Sequence, residues 1–366
     1  MNLKDKLSSI DKSTDMIPEG IAKIVTQDKV VRDNIDYVRK RASGEIKALA
    51  TSFPRLNKAI GGGFESNTIL TLSGLSGTGK SSLSKRIMNS ITENVIKSGR
   101  NCIALSFNFE MLAHKTVGRE IANMSKMTLK ELYSSDNPLS EYAINKLVKE
   151  HYDKINKNPI IYVEEPEDHV TIGNTIYYYW NKLCKKDNTV LVVEIDHAVI
   201  TKGKSGDNQK DKIDDLMETI NRVKKKIANQ GGEVLYIVLS QMNRDIKHRD
   251  RVTDPQQHYP VSSDLFASSS IEFFSDYIFV THTPAKLHLK SYTDNKFPTI
   301  LLNGDDQQNF IYWHIIKNRD GEPDVIIPML DNLKYFDFEE IPGPDFVTCC
   351  KEFQSTGVCN KVVKQN

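Results

Sequence analysis

The chain has 366 residues, of which 39% are apolar and 27% charged, with a formal net charge of +1 at pH 7. This composition is ordinary for a globular protein with one large domain or two smaller ones. It excludes binding to nucleic acid through overall basicity, so any such contact must come from local basic positions. No apolar run reaches the roughly 18–20 residues of a membrane span, and we expect no membrane partner.

The N-terminus and the cysteines both indicate the cytoplasm. The first residues, MNLKDKLSSIDKSTD, lack the apolar segment of a signal peptide. The cysteines are scattered without the spacing of a disulfide framework, which is typical of free thiols in a reducing cytosol. They are Cys102, Cys184, Cys349, Cys350 and Cys359.

The N-terminal segment, residues 1–45, is predicted to contain an amphipathic helix. Between Ile21 and Ala42 the apolar residues recur at helical spacing, with charged residues between them. This apolar stripe must be buried, either on its own domain or on a neighbouring subunit, and the sequence leaves both possibilities open.

From residue 68 onward, apolar runs of strand length alternate with helical patterns. Strands are predicted at 68–74, 101–109, 159–165, 189–196, 233–241 and 276–282, and helices at about 80–98, up to about 153, at 172–186 and at 210–229. The runs are apolar nearly throughout, which is typical of parallel strands buried on both faces. We therefore predict an α/β fold with a mostly parallel, doubly wound sheet and antiparallel strands added at its edge by residues 286–340.

The run GLSGTGKS at 74–81 fits the phosphate-binding pattern G-x-x-x-x-G-K-[ST] between a predicted strand and a predicted helix. Its glycines allow backbone N–H groups to converge on phosphate oxygens, and the helix N-terminus adds a favourable dipole. Lys80 can reach the β- and γ-phosphates, and Ser81 can bind Mg²⁺. The predicted nucleotide-binding set is Gly74, Ser76, Gly77, Thr78, Gly79, Lys80, Ser81 and Ser82.

A phosphate-binding loop of this kind needs an acidic group for the metal at the end of a buried strand. The strand LVVEID supplies Glu194 and Asp196, and its pleat places both on one side. The sequence alone does not choose between them. We favour Asp196, because ligands bind at the carboxyl ends of strands in open α/β sheets.

Two further strand ends carry polar residues suited to hydrolysis. Glu110 follows the strand after the phosphate-binding loop and is a candidate to orient or deprotonate the attacking water. Gln241 ends the run YIVLSQ and could hydrogen-bond the γ-phosphate. Near the other end of the chain, KNRDG at 317–321 carries Lys317 and Arg319 on a turn after an apolar strand. This run is either a solvated turn or a pair of cations directed at a ligand.

Taken in order, these motifs resemble the motor domain of DnaB-type replicative helicases, which have a RecA-like fold. The resemblance covers roughly residues 45–338. It is carried by ATSFPRLNKAIGGGFESNTILTLSG before the loop, SFNFEM, LVVEIDH, LSQMNRDI, SSDLFASSSIEFFSD and the final KNRDG. It implies a motor domain at 46–340 and a C-terminal tail at 341–366.

The resemblance implies ATP and Mg²⁺ as cofactors, with Glu110 as the catalytic base, Asp196 as the metal-linked acid and Gln241 as the phosphate sensor. Lys317 and Arg319 would reach the ATP of an adjacent subunit as a trans arginine finger and its companion. The implied assembly is a hexameric ring on single-stranded DNA, with 5′–3′ polarity as in DnaB. A primase or a helicase loader would be a further partner.

Two departures from the family pattern matter. Only residues 1–45 precede the motor, and this suggests a phage-type protein acting in the cytoplasm of an infected bacterial host. The family's DNA-gripping loop reads D-[LI]-R-E-S-G-S-I-E, whereas this chain has DLFASSSIE. Phe266 stands in place of the arginine and could stack on a base or simply pack, while Ser268 and Ser269 could hold phosphate.

The loop after the predicted metal strand carries Lys204, Lys210 and Lys212, which either line a central DNA channel or form a solvated loop. The leading hypothesis is an ATP-driven hexameric DNA helicase. The alternative is a RecA-like ring ATPase in recombination or regulation that binds DNA without unwinding it. A third possibility, an assembly protein with a decayed ATPase, conflicts with the complete set of nucleotide-site residues.

Overall fold

The structure is a computed structural model, and it describes residues 24–198, 201–202, 208–266, 268–303 and 306–360. The chain divides into two compact units, with the boundary between Ala48 and Leu49. None of the helices within the described ranges is long and apolar enough to cross a membrane.

Helices and strands alternate along the described chain. The helices are α1 Gln27–Ser43, α2 Pro54–Ala59, α3 Lys80–Lys97, α4 Ala113–Ser125, α5 Leu129–Leu132, α6 Glu141–Leu147, α7 Asp153–Ile155, α8 His169–Tyr179, α9 Gln209–Ala228, α10 Arg249–Thr253, α11 Ser268–Phe274 and α12 Gly343–Thr356. The strands are β1 Thr68–Gly74, β2 Cys102–Asn108, β3 Ile160–Val163, β4 Val190–Asp196, β5 Val234–Leu239, β6 Tyr277–His282, β7 Ser291–Tyr292, β8 Phe297–Pro298, β9 Ile300–Asn303, β10 Asp306–Asn318, β11 Val325–Asn332 and β12 Asp337–Glu340.

The first unit contains the predicted amphipathic helix as α1. Thr26 precedes it as N-cap, and Gly44 ends it with a φ of 76°, a left-handed conformation that glycine adopts without strain. No residue of α1 is buried. Its apolar residues Val31, Ile35 and Val38 are exposed, so residues 24–48, the described part of this unit, do not cover the stripe.

The second unit is built on one large sheet with the order β12-β11-β10-β6-β1-β5-β4-β2-β3. The six strands from β3 to β6 in this order are parallel to their neighbours. Strands β9, β10, β11 and β12 extend the β6 side in antiparallel pairing. The predicted α/β fold with antiparallel strands at the edge is thereby confirmed.

Both faces of the parallel sheet are covered, which explains why its strands are apolar throughout. On β4, Leu191, Val193 and Ile195 pack in one core cluster with residues of α8 and α9. Val190 and Val192 face the other way, into a second cluster with residues of α3. Successive side chains of a strand point to opposite faces of the sheet. Each helix layer therefore packs against every second residue of a strand.

The segment predicted as a C-terminal tail contains α12. Phe346, Cys349 and Cys350 on this helix join a third apolar cluster with Phe310 and Tyr312 of β10. The five cysteines are all buried and free of disulfides, in line with the predicted free thiols.

Candidate nucleotide and nucleic-acid site

The loop between β1 and α3 is packed so closely that Gly74 and Gly79 cannot be replaced without movement. Gly74 has a φ of 153°, and a Cβ there would lie 2.6 Å from the backbone and hydroxyl oxygens of Thr281 and 2.7 Å from the hydroxyl of Thr78. The Thr78 hydroxyl also donates to the Leu75 carbonyl at 2.8 Å. The cradle needed for a phosphate group is therefore formed by backbone and small polar side chains.

Lys80 begins α3 and folds back over this loop. Its ammonium group donates to the carbonyls of Gly74 at 2.9 Å and Leu75 at 3.1 Å. Burial lowers its pKa, while the nearby carboxylates of Asp196 and Glu110 oppose that shift. The ammonium group thus lies among the loop carbonyls and two acids, as a phosphate-neutralising lysine must.

The structure distinguishes the two acids of β4 by their partners. Glu194 is fully buried and forms an ion pair with Lys85 of α3. Its carboxylate also accepts hydrogen bonds from Ser84 at 2.5 Å and Ser106 at 2.6 Å. Because its oxygens are already occupied by protein donors, Glu194 holds the sheet to α3.

Asp196, in contrast, has a buried oxygen available for a ligand. It ends β4 with 6% exposure, and its Oδ1 has no hydrogen-bond partner. Burial, followed by the charge of Glu194, raises its pKa to about 6, against a hydrogen bond from Ser81 that lowers it. A carboxylate and a hydroxyl are the hard oxygen ligands that Mg²⁺ prefers, so Asp196 and Ser81 fit the predicted metal.

The remaining predicted hydrolysis residues lie at the ends of β2 and β5, the two strands that flank β4. Glu110 follows β2 and is exposed, within electrostatic range of Lys80. Gln241 follows β5 and is also exposed, with its carbonyl accepting from Phe266 N at 3.0 Å. The loop and the first turn of α3 are completed by Ser76, Gly77, Gly79 and Ser82.

Two cations at this site were missed by sequence reasoning. Lys286, which follows β6, donates a hydrogen bond to the Gly77 carbonyl. Arg119 of α4 lines a cavity of about 220 Å³ together with Ser81 and Asp196, and its guanidinium lies 5.1 Å from the Phe336 ring centre. Neither belongs to a local motif, because each reaches the site from a separate element, and a contact prediction would have been needed to find them.

Lys317 and Arg319 lie at the amino ends of the parallel strands, whereas the phosphate-binding loop lies at their carboxyl ends. Asn318 pairs with Tyr277 at the start of β6, whereas Gly74 pairs with Thr281 near its end. These positions are roughly 13 Å apart along the strand. The structure therefore does not bring these two cations to the chain's own nucleotide cradle.

Comparison with known proteins identifies the family of this chain. The family model for the DnaB-like helicase C-terminal domain matches residues 48–339. The chain belongs to the DnaB-like helicase family. This membership supports a replicative helicase with ATP-dependent activity. No curated protein sequence matches the chain.

Two solved structures share the fold. One is an ATPase domain with a TM-score of 0.68 and 16% identity, and the match covers 87% of this chain and 100% of that one. The other is a DnaB-like replicative helicase, studied for its interactions with primase, with a TM-score of 0.65 and 15% identity. That match covers 93% of this chain and 72% of the other. Both likenesses confirm the predicted RecA-like fold.

The predicted DNA-binding residues of this DnaB-like domain do not form one cluster in the described residues. Lys204 lies outside them. Lys210 and Lys212 lie in the first turn of α9, the first exposed and the second half-buried. Phe266 is half-buried and packs against the apolar core, which favours its interpretation as a packing residue. Ser268 begins α11, and Ser269 is exposed in a groove with Lys317 and Arg319.

The contrast between Asp196 and Glu194 predicts opposite effects of two conservative substitutions. In EDTA at pH 8, Asp196→Asn should raise the unfolding temperature, because it removes a buried charge that opposes folding by on the order of 2 kcal/mol. The folded-state pKa is raised, so this gain should shrink as the pH falls from 6 towards 4. Glu194→Gln should lower the unfolding temperature, since Lys85 loses its ionic partner.

Magnesium provides the matching control for this pair, measured by thermal unfolding with and without Mg²⁺ and nucleotide. The ligand should stabilise the wild type and Glu194→Gln relative to their own metal-free forms, but Asp196→Asn much less. Loss of the Mg²⁺ response in Glu194→Gln instead would transfer the metal role to Glu194.

Proposed function

We propose that the chain is a phage-type replicative DNA helicase that works as a hexameric ring, hydrolysing ATP to move along single-stranded DNA and unwind duplex. Its nucleotide sites lie between subunits, and each is completed by the neighbour's Lys317 and Arg319. The polarity proposed is 5′–3′, following the DnaB resemblance, and the setting is the cytoplasm of an infected bacterial cell.

The observation that carries this proposal is that the phosphate-binding loop and Arg319 lie at opposite ends of the strands of one sheet. The loop, Lys80 and Asp196 lie at the carboxyl ends of the parallel strands. Arg319 lies at their amino ends. A contact in which the carboxyl-end face of one copy meets the amino-end face of the next is heterologous, and such contacts form a ring when the rotation between successive copies closes. Each ring interface would then hold one complete site.

Within each site, hydrolysis would use residues from one subunit for binding and activation. Lys80 would neutralise the β- and γ-phosphates, and Asp196 with Ser81 would hold Mg²⁺, which shields the phosphate charge when bound. Glu110 would accept a proton from the water that attacks the γ-phosphorus, while the bond to the bridging oxygen breaks. Gln241 would hydrogen-bond the γ-phosphate and sense its loss.

The neighbour would supply the positive charge that this set lacks at the transferred phosphoryl group. A guanidinium there stabilises charge that develops only in the transition state, and so it acts on the rate more than on ATP affinity. Lys317 would accompany Arg319 as a second cation. Burial, followed by the charge of Arg319, lowers the pKa of Lys317, with Asp276 and Glu272 opposing the shift.

Contacts beyond the ATP site follow from the same arrangement. Lys210 and Lys212 would face the DNA backbone in the central channel, with Ser268 and Ser269 as neutral phosphate contacts. The exposed apolar residues of α1 would be covered by an adjacent subunit. We propose a primase or a helicase loader as further partners, with the domain arrangement 1–45, 46–340 and 341–366.

A second candidate function is a ring ATPase in recombination or regulation that binds DNA without unwinding it. It is favoured by the DLFASSSIE loop, in which a half-buried Phe266 replaces an expected arginine.

A forked duplex with a labelled strand distinguishes the two functions. The helicase should displace the strand in an ATP- and Mg²⁺-dependent way, and Glu110→Gln should abolish displacement while ATP binding remains. The polarity follows from forks that carry only a 5′ or only a 3′ single-stranded arm. DNA-stimulated hydrolysis without displacement on any fork would establish the alternative and exclude the helicase.

Substitution of the two channel lysines should weaken DNA binding through charge. Each lysine that neutralises a phosphate contributes about 0.7 to the slope of log K against log salt on single strands. Lys210→Ala with Lys212→Ala should therefore lower this slope by about 1.4, measured by fluorescence anisotropy. Lys186→Ala, at another exposed lysine, is the matched control. An unchanged slope in the double variant would mean that the two lysines are solvated residues of the first turn of α9 and do not contact DNA.

The trans role of the arginine can be tested with mixed rings. Arg319→Ala should retain ATP binding and lose hydrolysis by about 10³-fold, because it removes only transition-state stabilisation. Lys80→Ala should be inactive through its own loop. Mixing the two should restore part of the hydrolysis rate, since some interfaces then combine an intact loop with an intact arginine. Co-assembled mixtures that remain inactive would contradict the trans site.

A further inference from the structure

Asp276 is a buried carboxylate that contacts three separate elements of the second unit. It lies directly before β6 and is 4% exposed. Its Oδ2 accepts from the backbone N–H of Ile69 in β1 at 2.8 Å and from the ammonium group of Lys224 in α9 at 3.0 Å. Its Oδ1 lies 2.9 Å from Nη1 of Arg319. Asp276 has no part in the hydrolysis steps of the proposed function.

The Arg319 guanidinium has an exposed part as well as this buried partner. Its side chain is 52% exposed, compared with 6% for the carboxylate that holds it. Arginine has five N–H donors in a rigid plane, so one contact to Asp276 leaves others available for a phosphate group. The guanidinium is therefore restrained at one end and accessible at the other.

The backbone of the KNRDG turn is held without the Asp276 carboxylate. Arg319 N donates to the main-chain carbonyl of Asp276 at 3.0 Å. Asn318 donates through its side-chain amide to the Ala59 carbonyl at 3.2 Å, and Tyr277 donates through its hydroxyl to Asp320 at 3.2 Å. Removing the negative charge at 276 should thus release the guanidinium while the turn stays in place.

We propose that Asp276 is the positioning residue for the trans arginine: it orients Arg319 towards the nucleotide of the neighbouring subunit. The inference rests on the trans role of Arg319 proposed above. Holding a long side chain in advance lowers the ordering entropy that must otherwise be lost in the transition state. Asp276 does not touch the nucleotide, so its contribution reaches the reaction only through Arg319.

The same carboxylate links this arginine to its own subunit's nucleotide site. Ile69 lies on β1, which continues to Gly74 of the phosphate-binding loop. The pairing is doubled, because Asp276 N also donates to the Ile69 carbonyl at 2.8 Å. Arg319, which is proposed to act on a neighbour's nucleotide, is thereby connected through Asp276 to β1. This strand leads into the subunit's own phosphate-binding loop.

The first test replaces the carboxylate by an amide of the same shape. Asp276→Asn should lower the kcat of DNA-stimulated ATP hydrolysis by about 10- to 100-fold, as expected for a displaced catalytic group. The dissociation constant of a non-hydrolysable ATP analogue should change by less than about twofold, because ground-state binding is untouched. Asp324→Asn, the same change at an exposed carboxylate just after the turn, is the control and should keep wild-type kcat.

Mixed rings then separate a trans effect from a structural one. Asp276→Asn has an intact loop and a misplaced arginine, so mixing it with Lys80→Ala should restore part of the hydrolysis. Mixing it with Arg319→Ala should restore nothing, since both variants are deficient in the same function. The double variant Asp276→Asn/Arg319→Ala should be no slower than Arg319→Ala alone.

The control mixture of Arg319→Ala with Lys80→Ala identifies which proposal fails. If it regains activity while Asp276→Asn with Lys80→Ala does not, Asp276 acts within its own subunit and the positioning role is wrong. If neither co-assembled mixture regains activity, the trans site itself is wrong and the inference falls with it. Wild-type kcat in Asp276→Asn would also overturn it.

A second variant covers the case in which Asp276→Asn does not fold. Asp276→Asn with Lys224→Met removes both members of the buried ion pair and leaves no unpaired buried charge, which is usually tolerated better than removal of one. It should give the same complementation pattern. If thermal unfolding shows that neither variant folds, Asp276 is a structural residue and the positioning role is rejected.

Discussion

The common direction of six neighbouring strands is the constraint on which the rest of the structure depends. Parallel strands place all their carboxyl ends at one edge of the sheet, and polar residues at those ends meet there. Lys80, Asp196, Glu110 and Gln241 therefore come together from separate parts of the chain. Because of the same direction, the start of β6 and the adjacent Arg319 lie at the opposite, amino ends of the strands. In the proposed trans arrangement, one copy therefore carries two half-sites that meet only at a contact between copies.

Two buried ion pairs fix the positions of these halves. Glu194 with Lys85 joins β4 to α3, and Glu194 lies on the same strand as the proposed metal-binding residue Asp196. Asp276 with Lys224 joins the start of β6 to α9, and the same carboxylate contacts Arg319, the proposed trans arginine. Buried pairs add little net stability, because desolvation offsets most of their attraction. What they provide here is position, since each carboxylate also accepts further hydrogen bonds that allow only one arrangement.

Much of this was predictable from sequence because the signals are local. The loop 74–81 is a contiguous motif, and the strands are apolar on both faces over their whole length, so the sheet and the cradle follow from short windows. The choice between Glu194 and Asp196 did not follow, because both point to the same side of β4. It depends on Lys85, which lies on another element and occupies only one of the two acids. Arg119 and Lys286 escaped notice for the same reason.

Asp276 shows how a motif position acquires a role only in three dimensions. In sequence it is one acid at the end of SSDLFASSSIEFFSD, with nothing to separate it from a helix-terminal residue. In the fold it meets α9 through Lys224, roughly three helical turns after Lys212. The helix whose first turn carries the proposed DNA-binding lysines thus also contacts the carboxylate that holds Arg319. A shift of α9 along its axis would displace Lys224, and Asp276 would have to follow or lose a buried ionic partner. Under the proposed function, this contact would give DNA binding a physical route to the neighbour's ATP site.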